Sequence, residues 1–144
     1  MVGRRASKSS RARTPVPTID TNVLLRWLLD DVPAQTAAAD ALLSAGGRIR
    51  VPELALVETV YVLERVMQLS RATVAQSIEA IMGVASLDLD RALWRAVLND
   101  YLAHPKVSVT DAFLAAQARS EKALPLYTFD RKLASQLAGA ELLR

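Results

Sequence analysis

The chain has 144 residues, 51% of them hydrophobic and 23% charged, with no cysteine and a formal net charge of +3. That length and balance suit a single globular domain, and the missing thiols exclude disulfide scaffolds and zinc–thiolate sites. No apolar run approaches the ~18 residues of a membrane span and no apolar stretch follows the basic start, so neither a membrane protein nor an exported one is expected. A cytoplasmic protein is the default.

The charge is unevenly spread. Arg4, Arg5, Lys8, Arg11 and Arg13 make residues 1–17 a +5 segment without acids, while residues 18–144 hold 13 basic and 15 acidic side chains, a net −2. Gly, Ser, Arg, Lys and two prolines leave the segment nothing to bury, so it reads as a disordered, solvated tail. Loose contact with phosphate is the sharper alternative.

From residue 16 short apolar runs alternate with helix-period segments, the pattern of an α/β fold with a parallel sheet. Val16 to Ile19 forms a first strand, and Val23, Leu24, Trp27 and Leu28 stripe a helix that Asp30, Asp31 and Pro33 stop. Ala37, Ala38, Ala41, Leu42 and Ala45 mark a second helix, ended by Gly46-Gly47. Ile49 to Val51 is a second strand, and Pro52 and Glu53 then open a helix whose inner stripe is Leu54, Val57, Tyr61 and Val62.

Val74, Ile78, Ile81 and Met82 make a further helix, and Leu87 sits in a short strand. Leu93, Val97 and Tyr101 stripe the next helix, which His104-Pro105 terminates. Thr110 is the expected cap of a helix through Ala118. Leu124 to Phe129 is a clear strand, Arg131 to Leu137 a short helix, and Glu141 to Leu143 a closing strand. Trp27, Trp94, Tyr61 and Tyr101 fall in helical stripes and are expected in the core rather than as platforms for bases. His104 is a helix-end residue.

Ligand sites in parallel sheets gather at the carboxyl ends of strands. Asp20 and Asp130 each follow a strand run there. Both also precede helices, where Asp is a favoured cap, so capping alone accounts for either one. Glu58 shares the apolar stripe of its helix, and Asp111 heads the stripe Asp111, Leu114, Ala115, Ala118. Glu58 reaching solvent at the edge of its stripe or pairing with Arg65, and Asp111 favouring a helix N-terminus, are their structural explanations. Taken jointly the four acids ask for more. Two carboxylates ~4 Å apart repel by roughly 4 kcal/mol at an effective dielectric of 20, so four on one rim need protons or a cation. With no Cys and one His, a hard ion such as Mg²⁺ suits them.

Four motifs carry a family resemblance: Ile19-Asp20-Thr21-Asn22, Leu56-Val57-Glu58-Thr59-Val60-Tyr61-Val62-Leu63, Asp111-Ala112-Phe113-Leu114-Ala115-Ala116, and Thr128-Phe129-Asp130-Arg131. In order and spacing the chain resembles the PIN domain, and in particular the VapC-type toxins of toxin–antitoxin pairs, over residues 18–144. The basic tail departs from the family pattern. The resemblance implies a three-layer fold, with a central, mostly parallel sheet of four to five strands flanked by about seven helices. It also implies a metal-dependent endoribonuclease in which Asp20, Glu58, Asp111 and Asp130 hold one or two Mg²⁺ or Mn²⁺ ions. Those ions would activate water and neutralise the scissile phosphate. Asn22 and Thr128 are candidates to orient a ligand or a water, and Arg131 and Lys132 to grip the RNA backbone. The implied partners are an RNA substrate, a second copy in a homodimer and an antitoxin laid over a groove, for which Val57, Val62 and the alanine-rich early helices offer apolar surface. A net −2 domain favours a shape-selected RNA over general polyanion binding. The main alternative is a non-catalytic PIN-like module that binds RNA or protein. A haloacid-dehalogenase-like phosphotransferase is the other, but Asn22 stands where that family has its second Asp.

Overall fold

A computed structural model of the protein describes residues 15–144, so the basic residues of the tail lie outside the described part. Seven α-helices and four short strands alternate along it, the expected α/β order. They are α1 (Thr21–Leu29), α2 (Pro33–Ser44), β1 (Ile49–Arg50), α3 (Glu53–Tyr61), α4 (Arg71–Met82), β2 (Leu87–Asp88), α5 (Arg91–Ala103), α6 (Val109–Ser120), β3 (Leu126–Thr128), α7 (Arg131–Gln136) and β4 (Ala140–Leu142). A π-helical turn, Val62–Val66, extends α3.

All strand pairings are parallel. β1 pairs with β2 through Ile49↔Leu87 and Arg50↔Asp88, and β3 pairs with β4 through Leu126↔Ala140, Tyr127↔Glu141 and Thr128↔Leu142. The expected first strand is reduced to a bridge between Thr18 and Arg50. Arg50 donates its N–H to the Pro17 carbonyl at 2.8 Å and accepts that of Ile19 at 3.1 Å. Pro17 has no N–H to extend the ladder, and Pro52 stops β1 on the other side. The strands therefore hydrogen-bond as two pairs plus a bridge rather than as one continuous sheet.

The core is built from helix faces. Trp94, Tyr101, Leu24, Leu56, Val60, Leu63, Val74, Ile78 and Ile81 are fully buried, with Trp94 packed at a tilt against Phe113, ring centroids 5.6 Å apart. The stripes of α4 and α5 fall where the sequence puts them. Three others are rotated. In α3 the buried residues are Ala55, Leu56, Thr59 and Val60. Leu54 and Tyr61 of the expected stripe are 67% and 56% exposed, and Val57 and Val62 are half-buried. In α2 Thr36, Ala39 and Leu43 face inward and the predicted alanine stripe faces out. In α6 Val109, Ala112, Ala115 and Ala116 are buried, Leu114 is exposed, and Ser108 rather than Thr110 is the cap. Each change has one cause: these segments are apolar or alanine-rich on more than one side, so periodicity does not choose a face.

Arg71 at the start of α4 ties helices together. Its guanidinium donates to the carbonyls of Tyr101 (3.1 Å), Pro105 (3.0 Å) and Val107, and lies 3.7 Å above the Tyr101 ring. The Tyr101 hydroxyl donates to Glu64 at 2.7 Å. Burial first, then this hydrogen bond and the charge of Glu64, push the Tyr101 phenol well above its ordinary value, against the opposing effect of Arg71.

Candidate active site

Asp20 stands where the chain leaves its bridge to Arg50 and enters α1. Its Oδ1 accepts the Val23 N–H at 3.1 Å, capping the helix. Asp20 is exposed, and its second oxygen remains to be offered outward. Glu58 comes from the exposed side of α3, which packs against α1. This corrects the expectation of a carboxylate within the buried stripe: Glu58 lines up with exposed Leu54 and Tyr61. The Thr21 hydroxyl donates to Glu58 Oε2 at 2.8 Å. Asp20, Thr21, Glu58, Thr18 and Pro52 line one cleft, so the first two sequence-predicted acids meet.

The other two acids enter from different elements. Asp111 lies half-buried in the first turn of α6, its N–H donating to the Ser108 hydroxyl at 3.1 Å. Helix α6 packs on both α3 and β3, which sets it between the elements that carry Glu58 and Asp130. Asp130 follows β3 and caps α7, its Oδ1 accepting from Lys132 N–H at 2.9 Å and Leu133 N–H at 3.3 Å. Among the described residues, no three His, Asp or Glu side chains stand close enough to hold one ion together.

The Thr128 hydroxyl accepts the Asp130 N–H at 2.9 Å, fixing the turn that presents Asp130. Asn22 is exposed and lines a second cleft with Asp20, Val23, Arg26, Ala38 and Leu42, between α1 and α2. The residue that the sequence reading passed over is Thr21. Its contact is with Glu58, 37 residues away, so no local signal marks it. Arg131 and Lys132 are both exposed beside Asp130.

The donor set fits a hard divalent cation. Magnesium commonly takes one or two carboxylates, keeps several waters and completes its shell with substrate phosphate. Asp20 and Glu58 supply two carboxylates on one cleft, each with one oxygen already oriented by a hydrogen bond and one to give. Fixing a ligand's second oxygen in this way is how outer partners orient metal ligands.

Comparison with curated proteins returns no match. The family model for the PIN domain matches residues 18–138, a span that includes all four acids and every element from α1 through α7. PIN domains are generally nucleases, and those nucleases generally use divalent metals such as Mg²⁺ or Mn²⁺. With acids at the starts of α1, α6 and α7 and on α3, and with the family model covering most of its length, the chain belongs to the PIN domain family.

Proposed function

We propose that the protein is a Mg²⁺- or Mn²⁺-dependent endoribonuclease, the toxin of a VapBC-type toxin–antitoxin pair, working as a cytoplasmic homodimer restrained by its antitoxin. Residues 18–144 are the nuclease domain and residues 1–17 a basic tail. The observation that carries the catalytic part is the meeting of Asp20 and Glu58 at one exposed cleft, with Thr21 hydrogen-bonded to the glutamate. Two carboxylates there, with no cationic side chain lining the cleft among the described residues, favour a divalent ion. The exposed Ala38 and Leu42 beside Asn22, at the cleft between α1 and α2, support the antitoxin part as apolar surface next to the same aspartate.

A bound divalent ion would lower the pKa of its water and offset charge on the scissile phosphate. The chain's own groups do the rest. Asp20 and Glu58 would hold the ion at their shared cleft, and Asp111, on α6, and Asp130, after β3, are the further acids assigned to the site. Thr21 fixes the Glu58 carboxylate, and Thr128 fixes the backbone turn that presents Asp130. Arg131 and Lys132 hold phosphates of the RNA beside it.

The test is cleavage of single-stranded RNA by the full chain with Mg²⁺, with Mn²⁺ and with chelator, beside Asp20→Asn. Asparagine keeps the cap to Val23 and removes the charge, so the variant should fold normally and lose metal-dependent cleavage. Undiminished cleavage by the variant would remove Asp20 from the site. Absence of cleavage by the parent on every RNA, with binding retained, would establish the non-catalytic module instead.

A further inference from the structure

The charge balance of the domain raises a question about substrate binding. A part of the chain with 13 basic and 15 acidic side chains gains little from general attraction to a polyanion, so affinity must come from local contacts. Two aromatic rings stand out on the surface. Phe129 is 78% exposed, more than any other large hydrophobic side chain among the described residues, and Tyr127 is 57% exposed. Leu126 and Thr128 are half-buried, while Tyr127, in β3, and Phe129, in the bend directly after it, are exposed.

The segment is rigidly framed. Tyr127 and Thr128 are paired with Glu141 and Leu142 of β4, and the Thr128 carbonyl accepts the Leu143 N–H at 2.8 Å. Directly after Phe129, the Thr128 hydroxyl accepts the N–H of Asp130, whose carboxylate in turn caps α7. Leu133 of α7 is buried and anchors that helix. An exposed single hydrophobe is ordinary on a protein surface. An exposed phenyl ring on a framed backbone, next to a proposed catalytic acid and flanked by Arg131 and Lys132, which make no ion pair among the described residues, is a more specific arrangement.

Resting on the nuclease reading above, we propose that Phe129 is a stacking platform for an unpaired base of the RNA substrate, with Tyr127 as a second ring and with Arg131 and Lys132 on the adjoining phosphates. The two rings come from residues two apart in sequence, so they can serve separate bases of a strand drawn out of helical stacking. Aromatic stacking is tolerant of base identity, so this subsite selects unpaired RNA over duplex rather than a particular sequence. It also sets the register of the backbone against Asp130, one residue away.

The experiment uses the full chain carrying Asp20→Asn, so that binding is measured without cutting, and a single-stranded RNA of about eight nucleotides, within the span such sites engage. Adding Phe129→Ala should weaken binding about tenfold, and Phe129→Leu should weaken it similarly, because bulk without a flat face does not stack. The slope of affinity against salt should stay the same in both. Arg131→Gln and Lys132→Gln should each lower that slope by about one. Phe129→Trp should retain affinity, and its added emission, beyond that of Trp27 and Trp94, should be quenched by the single strand and not by a duplex. Unchanged binding in Phe129→Ala, or an unquenched Phe129→Trp, overturns the platform. So does an altered oligomeric state in Phe129→Ala with RNA affinity intact, which would make the ring a protein contact. Cleavage by the chain with Asp20 intact is scored separately, so loss of the platform leaves the nuclease reading standing, and the reverse holds too.

Discussion

Asp130 is both a helix cap and a proposed metal ligand, and two substitutions separate these roles. Its Oδ1 accepts two backbone N–H groups of α7, at 2.9 and 3.3 Å. Asp130→Ala removes both acceptors and the favourable charge at the helix start, a cost of about 1–2 kcal/mol. Asp130→Asn keeps an oxygen for the same N–H groups and drops only the charge, at about 0.5 kcal/mol. For a chain of this size those costs lower the melting temperature by roughly 4–8 °C and roughly 2 °C respectively. A domain with stability on the order of 5–15 kcal/mol stays folded at 25 °C through either loss. If Asp130 is a ligand, both variants should lose cleavage by about a hundredfold or more, since that factor corresponds to about 2.7 kcal/mol of transition-state stabilisation. Thermal unfolding by circular dichroism and initial cleavage rates at 25 °C measure the two effects on one preparation. An asparagine variant that cleaves within about twofold of the parent would refute the ligand role and leave Asp130 as a cap alone.

Two further outcomes concern the Arg71 cluster. Arg71→Met should destabilise the fold by about 3 kcal/mol or more in urea titrations, because three carbonyls and the Tyr101 ring lose their cationic partner together; a loss below about 1 kcal/mol would refute it. Tyr101 titrates well above its ordinary value of 10.0 in the fold, so its contribution is complete below that value and is lost as pH rises beyond it. Urea midpoints between about pH 8 and about pH 11 should therefore fall less steeply in Tyr101→Phe than in the parent, and equal slopes would contradict the assigned shift.

The element order was legible in the sequence because its punctuation is local. Gly46-Gly47 ends α2, Pro52 and Glu53 open α3, and His104 ends α5, each through backbone geometry or capping that a few residues decide. Faces were legible only where polar and apolar residues contrast. In α4 Val74, Ile78 and Ile81 alternate with Gln76 and Glu79, and the buried side follows. In α3 the run from Leu54 to Leu63 is apolar almost throughout, so Leu56, Val60 and Leu63 are as good a stripe as Leu54, Val57 and Tyr61. Tertiary packing against α1 and α6 chose between them. Glu58 was thus singled out for a burial that it does not have, although its meeting with Asp20 follows from the packing of α3 on α1. Asp20 and Asp130 were legible as both caps and site candidates, and the fold uses them as caps. The hydrogen bond from Thr21 to Glu58 joins residues 37 apart, and no local pattern encodes it. The π-helical turn after Tyr61 likewise has no sequence signal of its own.

Three of the four acids sit at the start of a helix: Asp20 before α1, Asp111 in the first turn of α6, and Asp130 before α7. Those ends carry the positive pole of the peptide dipoles. Backbone polarity alone thus favours each of these charges. Small metal-dependent domains whose ligands are assembled only on binding spend the ion's affinity on folding. On the proposed nuclease reading, that affinity would be left for the substrate, on a scaffold that is already complete.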